Sequence, residues 1–139
     1  MSSQDTNTIK LAIAGIGNCA TSLLQGLEFY KDTPDDDTVP GLMHVRFGDY
    51  HVRDIELVAA YDVDADKVGK DVAAATESGQ NCTIKICDLP ELGITVRRGH
   101  TADGLGKYYR ETIEESAEPD ATHDDIVTAL KETGADVLV

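Results

Sequence analysis

The pattern of hydrophobic and polar positions is first typical of a strand and then of a helix. Ile9–Ala14 is a short apolar run, which is typical of a buried strand. Apolar residues then recur at helical spacing and predict a helix over Asn18–Tyr30, which Pro34 and a run of acids end. Residues 38–54 show weak periodicity, so we interpret 31–54 as an insertion.

The rest of the chain repeats this alternation. Period and turn residues predict a strand at 55–61, a helix at 64–75 capped by Asp64, short strands at 83–87 and 94–98, a short helix around 108–115, a helix at 124–133 followed by Gly134, and a strand at 136–139. The order β-α-β-α-β-α-β predicts an α/β domain, a Rossmann-like doubly wound and mainly parallel sheet over residues 9–139. Residues 1–8 are polar and are expected to be disordered.

The apolar ending Val137-Leu138-Val139 leaves the last strand with nothing packed after it. We therefore expect the sheet to be incomplete at its C-terminal end and the chain to be a fragment of a longer protein. In a parallel sheet of this kind, ligands bind at the edge where strand C-termini and helix N-termini meet.

A glycine-rich turn lies at that edge, between the first strand and the first helix. Its residues, Gly15-Ile16-Gly17-Asn18-Cys19-Ala20, match the dinucleotide-binding pattern G-x-G-x-x-G/A. Gly15 allows the tight turn, Gly17 lets a pyrophosphate approach the backbone, and Ala20 lets helix and strand pack closely. Because the helix N-terminus is positive and its first N–H groups are available, we expect these six residues to bind the phosphates.

Asp62, at the end of the second strand, is the acid expected to accept hydrogen bonds from the adenine ribose. It follows Gly17 by 45 residues, where about 20 is usual, and the insertion accounts for the difference. An acid here favours NAD over NADP, because it would repel a 2′-phosphate. Val63 and Asp64 are further candidates beside it, although a helix cap explains Asp64 at least as well.

Composition narrows the possible partners and location. With 26 acids and 12 bases the net charge is −14, which disfavours nucleic acid and membrane partners and is typical of a halophile-like acidic surface that high salt would screen. No signal peptide or membrane-spanning run is visible, and three cysteines at no disulfide-like spacing indicate reduced thiols. We therefore expect a cytoplasmic protein.

Two weaker clusters leave alternatives open. The insertion concentrates four basic residues, His44, Arg46, His51 and Arg53. They contact phosphate or another subunit, or they belong to a structural loop and pair with Asp49 and Asp54; the structural interpretation is favoured. No metal site is expected, because two histidines without a nearby cysteine make a poor one. Lys107 follows a Gly-x-Gly sequence that fails the Walker pattern and is interpreted as part of a flexible loop.

Several stretches resemble the myo-inositol 1-phosphate synthase family of the archaeal and actinobacterial type. They are the glycine turn and residues 39–54, 59–64, 83–88, 103–109 and 136–139. The stretch 39–54, VPGLMHVRFGDYHVRD, is the most specific, because no general physical requirement demands it. The resemblance runs from about Ile9 to Val139 and implies the N-terminal part of such an enzyme.

The family converts glucose 6-phosphate into myo-inositol 1-phosphate by internal oxidation with bound NAD, aldol cyclisation and reduction, in inositol and phospholipid biosynthesis. The resemblance therefore implies NAD as cofactor, glucose 6-phosphate as substrate of the full-length enzyme, and a homotetramer. It carries five residues over as cofactor ligands: Gly15, Gly17, Asn18, Ala20 and Asp62. Asp71 matches a family acid near the cofactor, although a solvated surface position explains it as simply.

The family's catalytic lysines lie beyond this chain. No residue is therefore assigned as catalytic, and the fragment is expected to be inactive alone. Two alternatives remain: another NAD-dependent Rossmann oxidoreductase, and a non-enzymatic module that binds NAD or CoA.

Overall fold

The computed structural model describes residues 7–139, so most of the segment predicted to be disordered, residues 1–6, lies outside the described residues. The structure contains a four-stranded parallel sheet and a two-stranded hairpin. The strands are β1 (Ile9–Ala14), β2 (Arg46–Phe47), β3 (Tyr50–His51), β4 (Ile55–Asp62), β5 (Arg97–Arg98) and β6 (Val137–Leu138). The parallel sheet has the order β5-β4-β1-β6, which corresponds to strands 3-2-1-4 of a dinucleotide-binding sheet.

Helices cover both faces of this sheet, which confirms the predicted doubly wound α/β architecture. They are α1 (Asn18–Tyr30), α2 (Val72–Thr76) and α3 (His123–Thr133). On one face α1 and α2 pack against Leu11, Ile13 and Leu57. On the other face α3 packs on Ala12 and Ala59, whose small side chains let the helix approach the sheet.

A β-bulge in β4 decides which side chains reach each face. Leu11 lies opposite Leu57, but the next residue of β1, Ala12, lies opposite Ala59, so Val58 is an extra residue in β4. A one-residue shift exchanges the faces of all following side chains. Ala60 consequently joins Leu57 on the α1 face, and the alternation places Asp62 on that face as well.

The first strand and first helix have the predicted bounds, and α3 begins one residue earlier than predicted. Thr122 caps α3 by accepting a hydrogen bond from the Asp125 amide, and Gly134 ends it in a left-handed conformation at φ 65°. This arrangement is a capping box at the N-terminus and a glycine cap at the C-terminus. The short helix predicted around 108–115 is a single 3-10 turn, Tyr109–Glu111.

The predicted helix at 64–75 is wrong over most of its length. Only Val72–Thr76 is helical, and Asp71 caps it by accepting a hydrogen bond from the Ala73 amide. Before it, the backbone pairs with the segment leading into β5: the Gly69 amide donates to Val96 and the Val96 amide donates to Lys70. These long-range bonds replace the local helical ones, so Asp64 begins a turn rather than a helix.

The strand predicted at 83–87 is also wrong, and Gln25 explains why. This glutamine of α1 is buried; its Nε2 donates to the Ile84 carbonyl, and its Oε1 accepts hydrogen bonds from the Ile86 and Cys87 amides. A side chain thus supplies the backbone partners that a neighbouring strand would have supplied. Of the strand predicted at 94–98, only Arg97–Arg98 pairs in the sheet.

The insertion folds around Asp35 and His51, which supports the structural interpretation for Arg46, His51 and Arg53. Arg46 and Arg53 both bind the Asp35 carboxylate, at 3.2 and 2.7 Å, so their ion-pair partner is Asp35 and not the predicted Asp49 or Asp54. Arg46 reaches Asp49 only through the backbone carbonyl, at 3.0 Å. His51 is buried; its Nδ1 accepts a hydrogen bond from the Arg53 amide, and its Nε2 lies 2.8 Å from the Thr33 carbonyl. This network assigns the Nε2–H tautomer.

Replacing Gln25 should destabilise the fold. In Gln25→Ala, the backbone groups of 84–87 lose three hydrogen bonds in a partly buried place, so we expect a loss of about 2 kcal/mol in the free energy of unfolding, measured with urea. Gln80→Ala is the matched control, because Gln80 is exposed and makes one long hydrogen bond of 3.4 Å. Equal unfolding midpoints for the two variants would contradict this role of Gln25.

Candidate functional site

The glycine turn forms an open cradle at the carboxyl edge of the sheet. Gly15 adopts φ +101°, which favours glycine, and its amide donates to the Tyr61 carbonyl at 2.7 Å. Gly17 precedes α1 as its N-cap, with no side chain capping the helix and no acid in the first turn. A Cβ atom at Gly17 would meet no protein atom within 4 Å. The space above the helix N-terminus is therefore open to an anionic group.

Asp62 is held directly against this turn. Its Oδ2 accepts a hydrogen bond of 2.7 Å from the Ile16 amide, and its Oδ1 accepts from the amides of Val63 and Asp64 at 2.7 and 3.0 Å. These three bonds fix the carboxylate, while Oδ2 retains capacity for a second donor. The structure therefore brings together the glycine turn and the acid that the sequence predicted as its partner, although 46 positions separate Ile16 and Asp62.

A groove of about 520 Å³ runs along this edge, a volume suited to a small organic ligand. Gly15, Gly17, Asp62, Val63 and Asp64 line one side of it. The other side is largely apolar and includes the following residues: Tyr61, Leu105, Tyr109, Ile113, Ile126 and Leu138. Such a lining suits the flat faces of a nucleotide base.

The other predicted site residues take structural positions. Ile16 and Ala20 are buried, and Ala20 packs where helix and strand approach, as predicted. The side chain of Asn18 binds the neighbouring segment through the Cys82 amide and the Thr83 hydroxyl. Cys19 is exposed. None of these four side chains is among the groove-lining residues.

Asp71 lies apart from the groove. Besides capping α2, its carboxylate accepts hydrogen bonds from the Leu92 and Ile94 amides, each at 3.2 Å. The interpretation as a solvated surface acid is therefore wrong, because three backbone amides occupy this half-buried carboxylate. These contacts give Asp71 a structural role, and it does not line the groove with Asp62.

The sequence analysis missed Lys67, which also lines the groove and is only 5% exposed. Its Nζ donates to Asn81 Oδ1 at 3.0 Å and lies 4.0 Å from Asp62 Oδ2 and 3.9 Å from Asp64 Oδ2. The only sequence signal is its position three residues after Asp64, which does not distinguish a buried lysine from a surface one.

A second polar cluster supports the part of the groove lining formed by residues 99–101, which we call the far wall. The buried Arg98 donates to Glu115 at 2.7 Å and to Thr101 Oγ1 at 2.8 Å, and lies 3.4 Å from Asp120. The Thr101 hydroxyl, followed by Arg98, lowers the pKa of Glu115. The Thr101 amide, together with the charges of His100 and Arg98, lowers the pKa of Asp120. The cluster thereby holds Thr101 and His100 in the groove wall.

Among residues 7–139, no group of three or more histidine, cysteine or acidic side chains is placed to hold a metal ion. Lys107 packs over the ring of Tyr108 at 4.7 Å and does not line the groove. In the described part of the chain, no helix is long and apolar enough to cross a membrane.

No protein-family model matches the chain, but individual proteins do. Inositol-3-phosphate synthase of Corynebacterium glutamicum is 64% identical over 135 residues, which are 96% of this chain and 36% of that protein. The enzyme of the same name from Mycolicibacterium smegmatis is 53% identical, over 99% of this chain and 37% of its own length. The Mycobacterium tuberculosis enzyme is 56% identical, with coverages of 94% and 35%. The chain thus spans about a third of the length of the curated relatives it matches.

Two solved structures share the fold. The crystal structure of Ari2 matches with a TM-score of 0.68 and 31% identity, and covers 94% of this chain and 36% of its own. A myo-inositol-1-phosphate synthase-related protein from Thermotoga maritima matches with a TM-score of 0.63 and 28% identity, covering 94% and 33%. Over almost its whole length, the chain is homologous to inositol-3-phosphate synthases, as the sequence resemblance predicted.

Acid should loosen the far wall of the groove. The folded-state pKa values of Glu115 and Asp120 are depressed, so their contribution to stability is present above their ordinary values of 4.5 and 3.8 and is lost as the pH falls below them. We expect the thermal midpoint to fall over this range. The fall should be smaller in Glu115→Gln/Asp120→Asn and unchanged in Glu118→Gln, a substitution at an exposed acid. An identical pH profile for all three chains would refute this explanation.

Proposed function

We propose that this chain is the NAD-binding part of an inositol-3-phosphate synthase. The longer protein converts glucose 6-phosphate into myo-inositol 1-phosphate in the cytoplasm, as a homotetramer. The observation that carries the proposal is the Asp62 carboxylate bound to the Ile16 amide of the open glycine turn, in a chain whose relatives are named for that activity. These relatives support the reaction, and the geometry of the turn supports the cofactor.

The described residues fit an NAD molecule at three points. The pyrophosphate lies over Gly17, where a Cβ atom would find only empty space, and the first N–H groups of α1 bind its charge. The adenosine ribose lies at Asp62, whose Oδ2 accepts from a ribose hydroxyl. The apolar lining of the groove, which includes Val63 and Leu105, would hold the adenine.

In this proposal the bound NAD supplies hydride transfer at C5 of the sugar phosphate. The chain's own residues orient the dinucleotide: the turn fixes the phosphates, and Asp62 fixes the ribose and with it the direction of the molecule along the groove. The cyclisation step develops an oxyanion that needs cations placed against it. We assign those cations to lysines outside this chain, and none of residues 7–139 is assigned as catalytic.

Gly17→Ala tests the pyrophosphate position. Because the new methyl group meets no protein atom and φ is −93°, the fold should persist, whereas a bound pyrophosphate would clash. We expect NAD affinity, measured by calorimetric titration, to fall at least about tenfold. Gly26→Ala is the matched control, a glycine within α1 whose Cβ also meets open space, and it should bind NAD as the unchanged chain does. Equal affinities of the two variants would exclude a pyrophosphate at Gly17.

The reaction is tested in the longer protein that contains this chain. Glucose 6-phosphate should be converted to inositol phosphate without net accumulation of NADH, because the hydride removed in oxidation returns in reduction. Phosphate release from product by periodate, together with NADH absorbance, follows both quantities. Steady NADH production would instead identify an ordinary dehydrogenase, and NAD binding without turnover would favour a binding module.

A further inference from the structure

Lys67 places a buried positive charge beside Asp62, the residue predicted to bind the ribose. It lies in the turn that follows β4, and its side chain is only 7% exposed. Asn81 accepts one hydrogen bond from its Nζ and in turn donates to the carbonyls of Ile16 and Thr76. The ammonium group is therefore anchored to the glycine turn itself, and its position relative to Asp62 is determined by the fold.

The ammonium group keeps unused donor capacity at the groove. A lysine has three N–H donors, and the Lys67 hydrogen bond to Asn81 uses one of them. Its distances to Asp62 and Asp64, 4.0 and 3.9 Å, are ion-pair distances too long for hydrogen bonds. Because Lys67 also lines the groove, an additional acceptor placed beside Asp62 can reach it.

The charges at this corner leave a small negative excess. Two carboxylates, Asp62 and Asp64, face one ammonium group, and both acids are largely buried, with side chains 11% and 5% exposed. Screening by solvent is weak in such a place, so the sum of these charges acts strongly on any phosphate brought there. With Asp62 present the sum is −1, and without it the sum is zero and leaves an ammonium group with donors to offer.

We propose that Lys67 is a specificity-determining residue of this corner: its ammonium group is the receptor for a 2′-phosphate, and Asp62 together with Asp64 outweighs it so that NAD is preferred. This inference rests on the proposed function. It assigns the preference to a balance of three side chains rather than to repulsion by Asp62 alone. A lysine is suited to the role, because phosphate oxygens accept hydrogen bonds from its compact ammonium group.

The test removes Asp62 and then asks whether the gain in NADP binding depends on Lys67. NAD and NADP affinities are measured by calorimetric titration on the unchanged chain, Asp62→Ser, and Asp62→Ser/Lys67→Met. We expect NADP affinity to rise about tenfold in the single variant and to fall back about tenfold in the double variant. NAD affinity should differ less than about threefold between the two variants, because NAD carries no 2′-phosphate.

Two further variants separate the charge from packing. Asp62→Ser/Lys67→Arg should retain the gain in NADP binding, and Asp62→Ser/Lys67→Gln, which keeps a hydrogen bond to Asn81 possible, should lose it. Thermal midpoints report whether each variant folds, and Asp62→Asn replaces Asp62→Ser if the latter does not. NADP binding that survives Lys67→Met or Lys67→Gln, or an equal loss of both dinucleotides, overturns the inference while leaving the proposed function intact. Binding of neither dinucleotide to the unchanged chain refutes the proposed function and, with it, this inference.

Discussion

The hydrogen bond from the Ile16 amide to the Asp62 carboxylate joins the two halves of the candidate site, and the bulge at Val58 makes it possible. If β4 alternated regularly through Val58 instead of bulging there, Asp62 would face α3 and Tyr61 would lie beside the glycine turn. The bond also ties the end of β4 to the turn that begins α1. The register of β4, the position of the glycine turn and the orientation of Asp62 therefore depend on one another.

The charges near the groove determine which groups could hold a phosphate in the proposed site. Near the groove, each of the two buried cations faces two carboxylates: Lys67 lies between Asp62 and Asp64, and Arg98 contacts Glu115 and approaches Asp120. The net charge is therefore not positive around either Lys67 or Arg98. In the proposed site, the favourable potential for a pyrophosphate would consequently come from backbone amides and the dipole of α1, which need no basic side chain. A net charge of −14 is compatible with a dinucleotide site for this reason.

The sequence predicts well those parts of the structure that depend on local pattern. The bounds of β1 and α1 follow from apolar period and from Gly15 and Gly17, and Asp62 was found because the end of a strand is a local signal. The errors occur where a distant residue supplies the partner. Residues 83–87 alternate like a strand, yet Gln25 satisfies their backbone, and Lys67 carries no pattern that reveals its burial between two acids.

The same distribution of charge explains why the glycine turn supports a proposed cofactor site but assigns no reaction. An oxyanion that develops during catalysis is stabilised by a cation whose charge is not already neutralised. Lys67 and Arg98 do not meet this condition, because each is compensated by two carboxylates within 4.0 Å. Under the proposed function, the described residues orient a dinucleotide. The relatives are about three times as long as this chain, and the proposed function accordingly assigns the cations that stabilise the oxyanion to residues outside 7–139.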